Sequence, residues 1–90
     1  MVHNTNGRPE VERVHTGVRF EKRLLKVLKG LAELKDLSLG DLLEGIVLHA
    51  FEGKSPFSPE TIKQIGDLNK LYDMPLRADH SHKLVERRKK

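Results

Sequence analysis

The feature that most constrains this chain is one short alternating segment that has no second segment to pair with. Residues 13–20 change character with a period of two. In a β-strand, alternate residues from Thr16 to Phe20 would lie on one face, and those from His15 to Arg19 on the other. A lone strand leaves its backbone unpaired and its apolar face open. Because we find no second convincing strand, the sequence predicts pairing with the same segment of another copy.

The length of the chain also favours an oligomer. Its 90 residues allow one domain at most, and the convincing core-forming pattern covers less than half of them. A core of this size is marginal for a chain on its own. Oligomerisation is therefore a physical expectation as well as a consequence of the unpaired strand.

Composition indicates a compartment and, weakly, a partner. The chain has no cysteine, which excludes disulfides and thiolate chemistry and agrees with a reducing cytoplasm. No apolar run approaches the length of a membrane span, and the polar start lacks the hydrophobic region of a signal peptide. We therefore expect a cytoplasmic protein without a membrane partner. Its 17 Lys and Arg against 13 Asp and Glu, a net charge of +4, favour polyanions only modestly.

Two helix patterns follow the alternating segment. Residues 21–35 carry apolar side chains at three- and four-residue spacing, which predicts an amphipathic helix. Gly30, in its middle, either marks a close helix–helix approach or is simply tolerated by packing. Ser38, followed three residues later by Asp41, is typical of a helix start. The second helix is predicted to begin there and to end near Gly53.

The remaining residues divide into an arm, a linker, a third helix and a tail. Residues 1–12 are polar and without periodicity, so we expect a flexible N-terminal arm. Residues 54–58 form a linker whose final serine, followed by proline, starts an additional helix predicted at 59–73. Residues 74–90 lose periodicity and end in a basic run, which predicts a disordered tail.

This order of elements resembles the ribbon-helix-helix family of DNA-binding proteins, which contains the Arc and MetJ repressors. The resemblance covers residues 13–53 and depends on pattern and spacing. It implies a mostly α fold with one short strand and an intertwined homodimer. In that dimer two strands pair across the twofold axis into an antiparallel ribbon, to which this chain adds a third, C-terminal helix. The ribbon would enter the major groove of double-stranded DNA.

The resemblance assigns DNA-contacting residues along the chain. The base-reading positions would be Arg13, His15, Gly17 and Arg19, of which Arg19 is the best candidate because Arg to guanine is the commonest specific major-groove contact. Gly17 has no side chain with which to read a base, so it would permit close approach to DNA or a bulge.

Phosphate contacts are expected beside the ribbon and at the second helix. Lys22 and Arg23, at the start of the first helix, are candidates. The family also binds a phosphate with backbone amides at the start of the second helix, here Ser38, Leu39 and Gly40, where free N–H groups and the helix dipole attract anions. The predicted dimer core comprises Val18, Phe20, Leu24, Leu28, Leu43, Ile46, Val47 and Phe51.

The leading functional hypothesis is a homodimeric, sequence-specific DNA-binding protein acting as a transcriptional repressor. The alternative is a protein-interaction module such as an antitoxin, in which residues 59–73 bind a partner protein; the same stripe could instead pack on its own dimer. A helix-turn-helix monomer fits less well, because it leaves the alternating segment unexplained. We expect no enzyme, cofactor or metal: the His80 and His82 pair lacks further ligands, and no nucleophile–base grouping is present.

Overall fold

The computed structural model describes residues 4–5 and 7–87, with side chains from residue 7 onward, and this part of the chain is mostly helical. It contains three α-helices, α1 (Lys22–Leu34), α2 (Leu39–Phe51) and α3 (Pro59–Leu71). The prediction of a mostly helical fold is therefore confirmed. No helix within the described ranges is both long and apolar enough to cross a bilayer.

A short hairpin lies in the predicted N-terminal arm, ahead of the alternating segment. Two short strands, β1 (Asn4–Thr5) and β2 (Arg8–Pro9), pair antiparallel, with Asn4 opposite Pro9. Gly7 adopts a φ of 77° between them, a left-handed conformation that glycine reaches without steric cost. The predicted flexible arm, residues 1–12, therefore contains a small hairpin; its residues 1–3 and 6 lie outside the described part.

The alternating segment (residues 13–20) forms no strand within the single chain. Residues 10–21 carry neither helix nor strand, and every residue from 13 to 20 is exposed. The predicted strand at this position is therefore not seen in one copy. The physical reason is that, among the described residues, no other strand lies beside the segment to complete its backbone hydrogen bonds.

Serine caps begin α2 and α3, as the sequence predicts. The hydroxyl oxygen of Ser38 accepts a hydrogen bond from the Asp41 N–H at 3.1 Å. The hydroxyl oxygen of Ser58 accepts one from the Thr61 N–H at 3.2 Å, with Pro59 in the first turn. Each cap satisfies an N–H group that has no acceptor inside its own helix.

Glu21 caps α1, which sequence reasoning did not identify. Its carboxylate accepts a hydrogen bond from the Leu24 N–H at 2.9 Å. This bond is the main reason that the pKa of Glu21 is lowered, and hydrogen bonding and charge attraction from Arg23 lower it further. Glutamate is not among the usual capping residues, so the only sequence signal was an acid placed beside the positive end of the helix dipole.

The three helices end in the same way. Asp36, Gly53 and Asp73 each follow a helix in a left-handed conformation, with φ values of 56°, 70° and 54°. The N–H of the residue after each then donates to the carbonyl five positions earlier, at 2.8 or 2.9 Å. This arrangement occupies carbonyls that the helix leaves free. Gly53 was the predicted stop, whereas two aspartates serve the same purpose at the other ends.

The core centres on α1, which packs against both α2 and α3. Its central cluster is Leu31, Ala32 and Leu42. Partly buried apolar side chains from all three helices and the linker pack around it: Leu28, Ile46, Phe57, Ile65 and Leu68. The apolar side chains of α1 thus contact two helices, α2 and α3, and this explains why they cover a broad part of its surface.

The residues predicted as a disordered tail, 74–90, begin with a packed turn. Met74, the first residue of that tail, is buried, and Ala78–His80 forms a turn of 3-10 helix. The backbone N–H of Arg77 donates to His80 Nδ1 at 2.9 Å, so this histidine closes a turn. Residues 88–90 of the predicted tail lie outside the described part.

Candidate nucleic-acid interface

The predicted base-reading residues all lie on the surface. Arg13, His15, Gly17 and Arg19 are exposed along the alternating segment. The opposite side of the segment is open as well, since Val18 is 67% exposed. Both faces of the segment are thus accessible in the single chain.

Arg13 contacts α2 through a two-point ion pair. Its Nε and Nη2 atoms donate to the two carboxylate oxygens of Glu44, each at 3.0 Å. The hydrogen bonds between these side chains are the main cause of a raised pKa for Arg13 and a lowered pKa for Glu44. The contact holds the start of the alternating segment beside α2.

Arg19 makes the matching contact with the C-terminal segment. Its two terminal nitrogens donate to the two carboxylate oxygens of Glu86 at 3.0 and 3.3 Å. Both side chains remain largely in water, with 85% and 73% of their surface exposed. Sequence reasoning missed this pair and the Arg13 pair, because partners 67 and 31 positions apart leave no local pattern.

The two predicted phosphate ligands on α1 differ in their surroundings. Lys22 is exposed at the first helical position. Arg23 is half-buried, and its guanidinium donates to the Asp73 carbonyl at 3.0 Å and to Glu21 at 3.3 Å. Arg23 therefore joins the start of α1 to the end of α3, whereas Lys22 extends into solvent where a phosphate could approach.

The start of α2 is the predicted phosphate site, and its first-turn N–H groups face the solvent as they do at other helix N-termini. Ser38 and Gly40 are exposed and Leu39 is half-buried. Helix geometry leaves the first-turn N–H groups, including those of Leu39 and Gly40, without an acceptor inside the helix. Their partial positive charge adds to that of the helix dipole. The three predicted residues are thus together at one helix end.

The predicted dimer core divides into a half-buried and an exposed part. Leu24, Leu28, Leu43 and Ile46 are half-buried within the single chain. Val47 and Phe51 are exposed on α2, and Phe51 retains 84% of its accessible surface. Leu48, which the helical pattern did not single out, is exposed beside them. We call Val47, Leu48 and Phe51 the outer face of α2.

The apolar stripe of α3 is partly used inside the chain. Ile65 and Leu68 pack against the core cluster, as expected if the helix packs on its own protein. Ile62 and Leu71 remain exposed. The apolar stripe of residues 59–73 had suggested a partner protein. Packing within the chain already covers half of that stripe, Ile65 and Leu68.

A groove of about 360 Å³ lies between α2, the end of α1 and the linker. Its walls are mostly apolar, and its polar groups are those of Lys35, Asp41, His49 and Thr61. His49 Nδ1 lies 2.7 Å from the Gly45 carbonyl oxygen. Among the described residues, no side-chain hydrogen bond connects Lys35, Asp41 and His49, and no group of three potential metal ligands is found.

The chain was compared with known proteins at three levels. Comparisons with family models, with curated proteins and with solved structures gave no match. The ribbon-helix-helix resemblance therefore remains an expectation drawn from the pattern and spacing of the sequence.

Proposed function

We propose that the protein binds double-stranded DNA as a homodimer, with the alternating segments of two copies paired as an antiparallel ribbon in the major groove. The observation that carries the proposal is the segment itself, which is exposed and has no strand partner among the residues that the structure describes. Two identical segments related by a twofold axis can complete each other's hydrogen-bond ladder. A two-stranded ribbon has the dimensions to enter the major groove.

The outer face of α2 supports the dimer. Val47, Leu48 and Phe51 place an apolar surface in water on a chain that buries few apolar side chains. Covering this face with a second copy, together with Val18 and Phe20, would enlarge a core that is small for one chain.

The positions of the arginines support DNA as the partner. Arg13 and Arg19 lie six positions apart, an even offset, so both would lie on the His15 side of a strand. A guanidinium can donate two hydrogen bonds to the O6 and N7 atoms of guanine. Lys22 and the start of α2 would then be available for phosphates on either side.

Repression is the form of action that we propose. A dimer that occupies a short site with twofold symmetry prevents other proteins from using the same DNA. Occupancy alone is sufficient for this effect, and it needs no group on the protein beyond those that bind the duplex.

The test is selection of a duplex from a random pool, followed by fluorescence anisotropy. We expect enrichment of a site with twofold symmetry. Arg19→Ala should weaken binding to that site by about 1–3 kcal/mol and relax the preference at one base pair of each half-site. Arg77→Ala is the matched control, since it removes an exposed arginine outside the segment.

Two results would contradict the proposal. One is a pool in which no sequence is enriched by the wild-type protein at low salt. The other is equal loss of affinity in Arg19→Ala and Arg77→Ala, since this would indicate that Arg19 contributes only its charge.

A further inference from the structure

We propose that Glu86 and Glu44 compete with DNA for the arginines of the alternating segment, so that the free protein restrains its own binding. This inference depends on the proposed function, because it concerns the same two arginines. It adds a regulatory role for two carboxylates that belong to neither the ribbon nor the expected phosphate contacts.

The contact at Arg19 uses the atoms that DNA recognition needs. Both terminal nitrogens of the guanidinium donate to Glu86 oxygens, at 3.0 and 3.3 Å. The two acceptors of a guanine edge require the same forked set of donors. Arg19 therefore cannot hold Glu86 in this geometry and bind a base at the same time.

The contact at Arg13 repeats the arrangement at the other end of the segment. Nε and Nη2 donate to the two oxygens of Glu44, each at 3.0 Å. In an extended chain, positions 13 and 19 are roughly 20 Å apart. Carboxylates from two different parts of the protein, α2 and the C-terminal segment, thus occupy both ends of the proposed reading surface.

The exposure of these pairs sets the size of the effect. Arg19 and Glu86 are 85% and 73% exposed, and Arg13 and Glu44 are 64% and 50% exposed. Ion pairs in water are weak and are screened by salt. Each pair should therefore reduce DNA affinity by roughly two- to fivefold per chain at low salt. The pairs adjust affinity and do not switch it off.

The Arg19–Glu86 pair is the better one to test. Glu44 lies within α2, where a substitution could also change the helix, whereas Glu86 lies outside any helix or strand. Removing the whole C-terminal segment is unsuitable, since Glu86 is followed directly by four basic residues whose loss would itself weaken DNA binding. The substitution Glu86→Gln preserves the side chain's size and removes only its charge.

The experiment measures affinity for the selected duplex at low and high salt. Because both chains of the dimer lose the pair, we expect Glu86→Gln to bind about 4- to 25-fold more tightly than wild type at low salt, with a smaller difference at high salt. Glu12→Gln is the matched control: it makes the same charge change beside the segment, and Glu12 has no side-chain hydrogen bond among the described residues. Its gain in affinity should be smaller.

A second pair of proteins tests whether the effect passes through Arg19. In an Arg19→Gln background, Glu86→Gln should raise affinity by no more than Glu12→Gln does. Equal gains for Glu86→Gln and Glu12→Gln in the wild-type background, or an undiminished gain in the Arg19→Gln background, would overturn the inference.

Failure of the inference and failure of the proposed function give different results. Selected binding by the wild type together with equal gains for both glutamate variants overturns the inference alone. Selected binding by the wild type together with a larger gain for Glu86→Gln than for Glu12→Gln, lost in the Arg19→Gln background, supports both. Lack of sequence-selected binding by the wild type overturns the proposed function and the inference together.

Discussion

Gly30 of α1 lies so close to Leu68 of α3 that a Cβ atom at position 30 would come within 3.0 Å of Leu68 Cδ2. The added Cβ atom would also lie 3.7 Å from Tyr72 Cε2. A glycine inside a helix costs about 1 kcal/mol relative to alanine. The close approach of α1 and α3 is therefore the structural reason for a residue that the helical pattern alone would not favour.

The first prediction compares Gly30→Ala with Gly66→Ala. Gly66, on α3, has nothing within 4 Å of an added Cβ, so alanine there should raise the free energy of unfolding by about 0.5–1 kcal/mol. At Gly30 the same gain is opposed by the displacement of Leu68, and the net change should be near zero or destabilising. Urea denaturation at one fixed chain concentration measures both. Equal stabilisation by the two variants would contradict the close approach.

The second prediction concerns the serine caps. Ser38→Ala and Ser58→Ala each remove the acceptor of a first-turn N–H, and each should lower the free energy of unfolding by about 1 kcal/mol. Only Ser38→Ala should also weaken DNA binding, because the proposed phosphate site is at the start of α2. Thermal denaturation and anisotropy separate the two effects. Similar losses of DNA affinity in both variants would argue against a phosphate at α2.

The third prediction is a pH dependence at Glu21. Its pKa is lowered from an ordinary value of 4.5 in the folded protein, chiefly by the Leu24 N–H. The charged carboxylate therefore stabilises the fold above about pH 4.5, and this contribution is lost as the pH falls through the lowered, folded pKa. Glu21→Gln should accordingly lose less stability than wild type over that acidic range. Chemical denaturation at several pH values measures it.

The control for this pH experiment is Glu33→Gln, which removes an exposed carboxylate from the same helix and so reproduces the change in net charge. If the pH profile of Glu21→Gln matched that of wild type, the carboxylate of Glu21 would not be the group that stabilises the start of α1.

The fourth prediction tests the outer face of α2. Phe51 is 84% exposed in one chain and Leu71, on α3, is 70% exposed, so glutamate at either position should perturb the single chain little. Phe51→Glu should raise the dimer dissociation constant by at least about a hundredfold, because the proposed dimer would bury two Phe51 side chains and both would be lost. Leu71→Glu should leave it unchanged. Sedimentation equilibrium decides between these outcomes, and equal effects would place the dimer interface elsewhere.

The helices could be predicted from the sequence because their signals are local. Ser38 and the Ser58–Pro59 pair fix where α2 and α3 begin, and the observed bounds differ from the predicted ones by one or two residues at most. Gly53 supplied the end of α2 in the same way. Each signal depends on residues within one helical turn of each other, so no knowledge of the tertiary fold is required.

The contacts of the candidate site could not be predicted, because they join distant parts of the chain. Nothing near Arg19 in the sequence indicates Glu86, and nothing near Arg13 indicates Glu44. The burial of Met74 has a similar origin, since it depends on how the chain turns back after α3. The alternating segment differs again: its pattern is local, but the pairing that the pattern predicts requires a second chain.

The exposed stretch from residue 10 to residue 20, which carries neither helix nor strand, also has a consequence for turnover. Proteases act on backbone that can be drawn into their active sites in extended form, and such stretches are cut first. A solitary chain offers Arg13 and Arg19 there to trypsin-like enzymes, whereas pairing the segments would hide the same bonds. Degradation would then remove unassembled chains first, and the lifetime of the protein in a cell would increase with its own abundance.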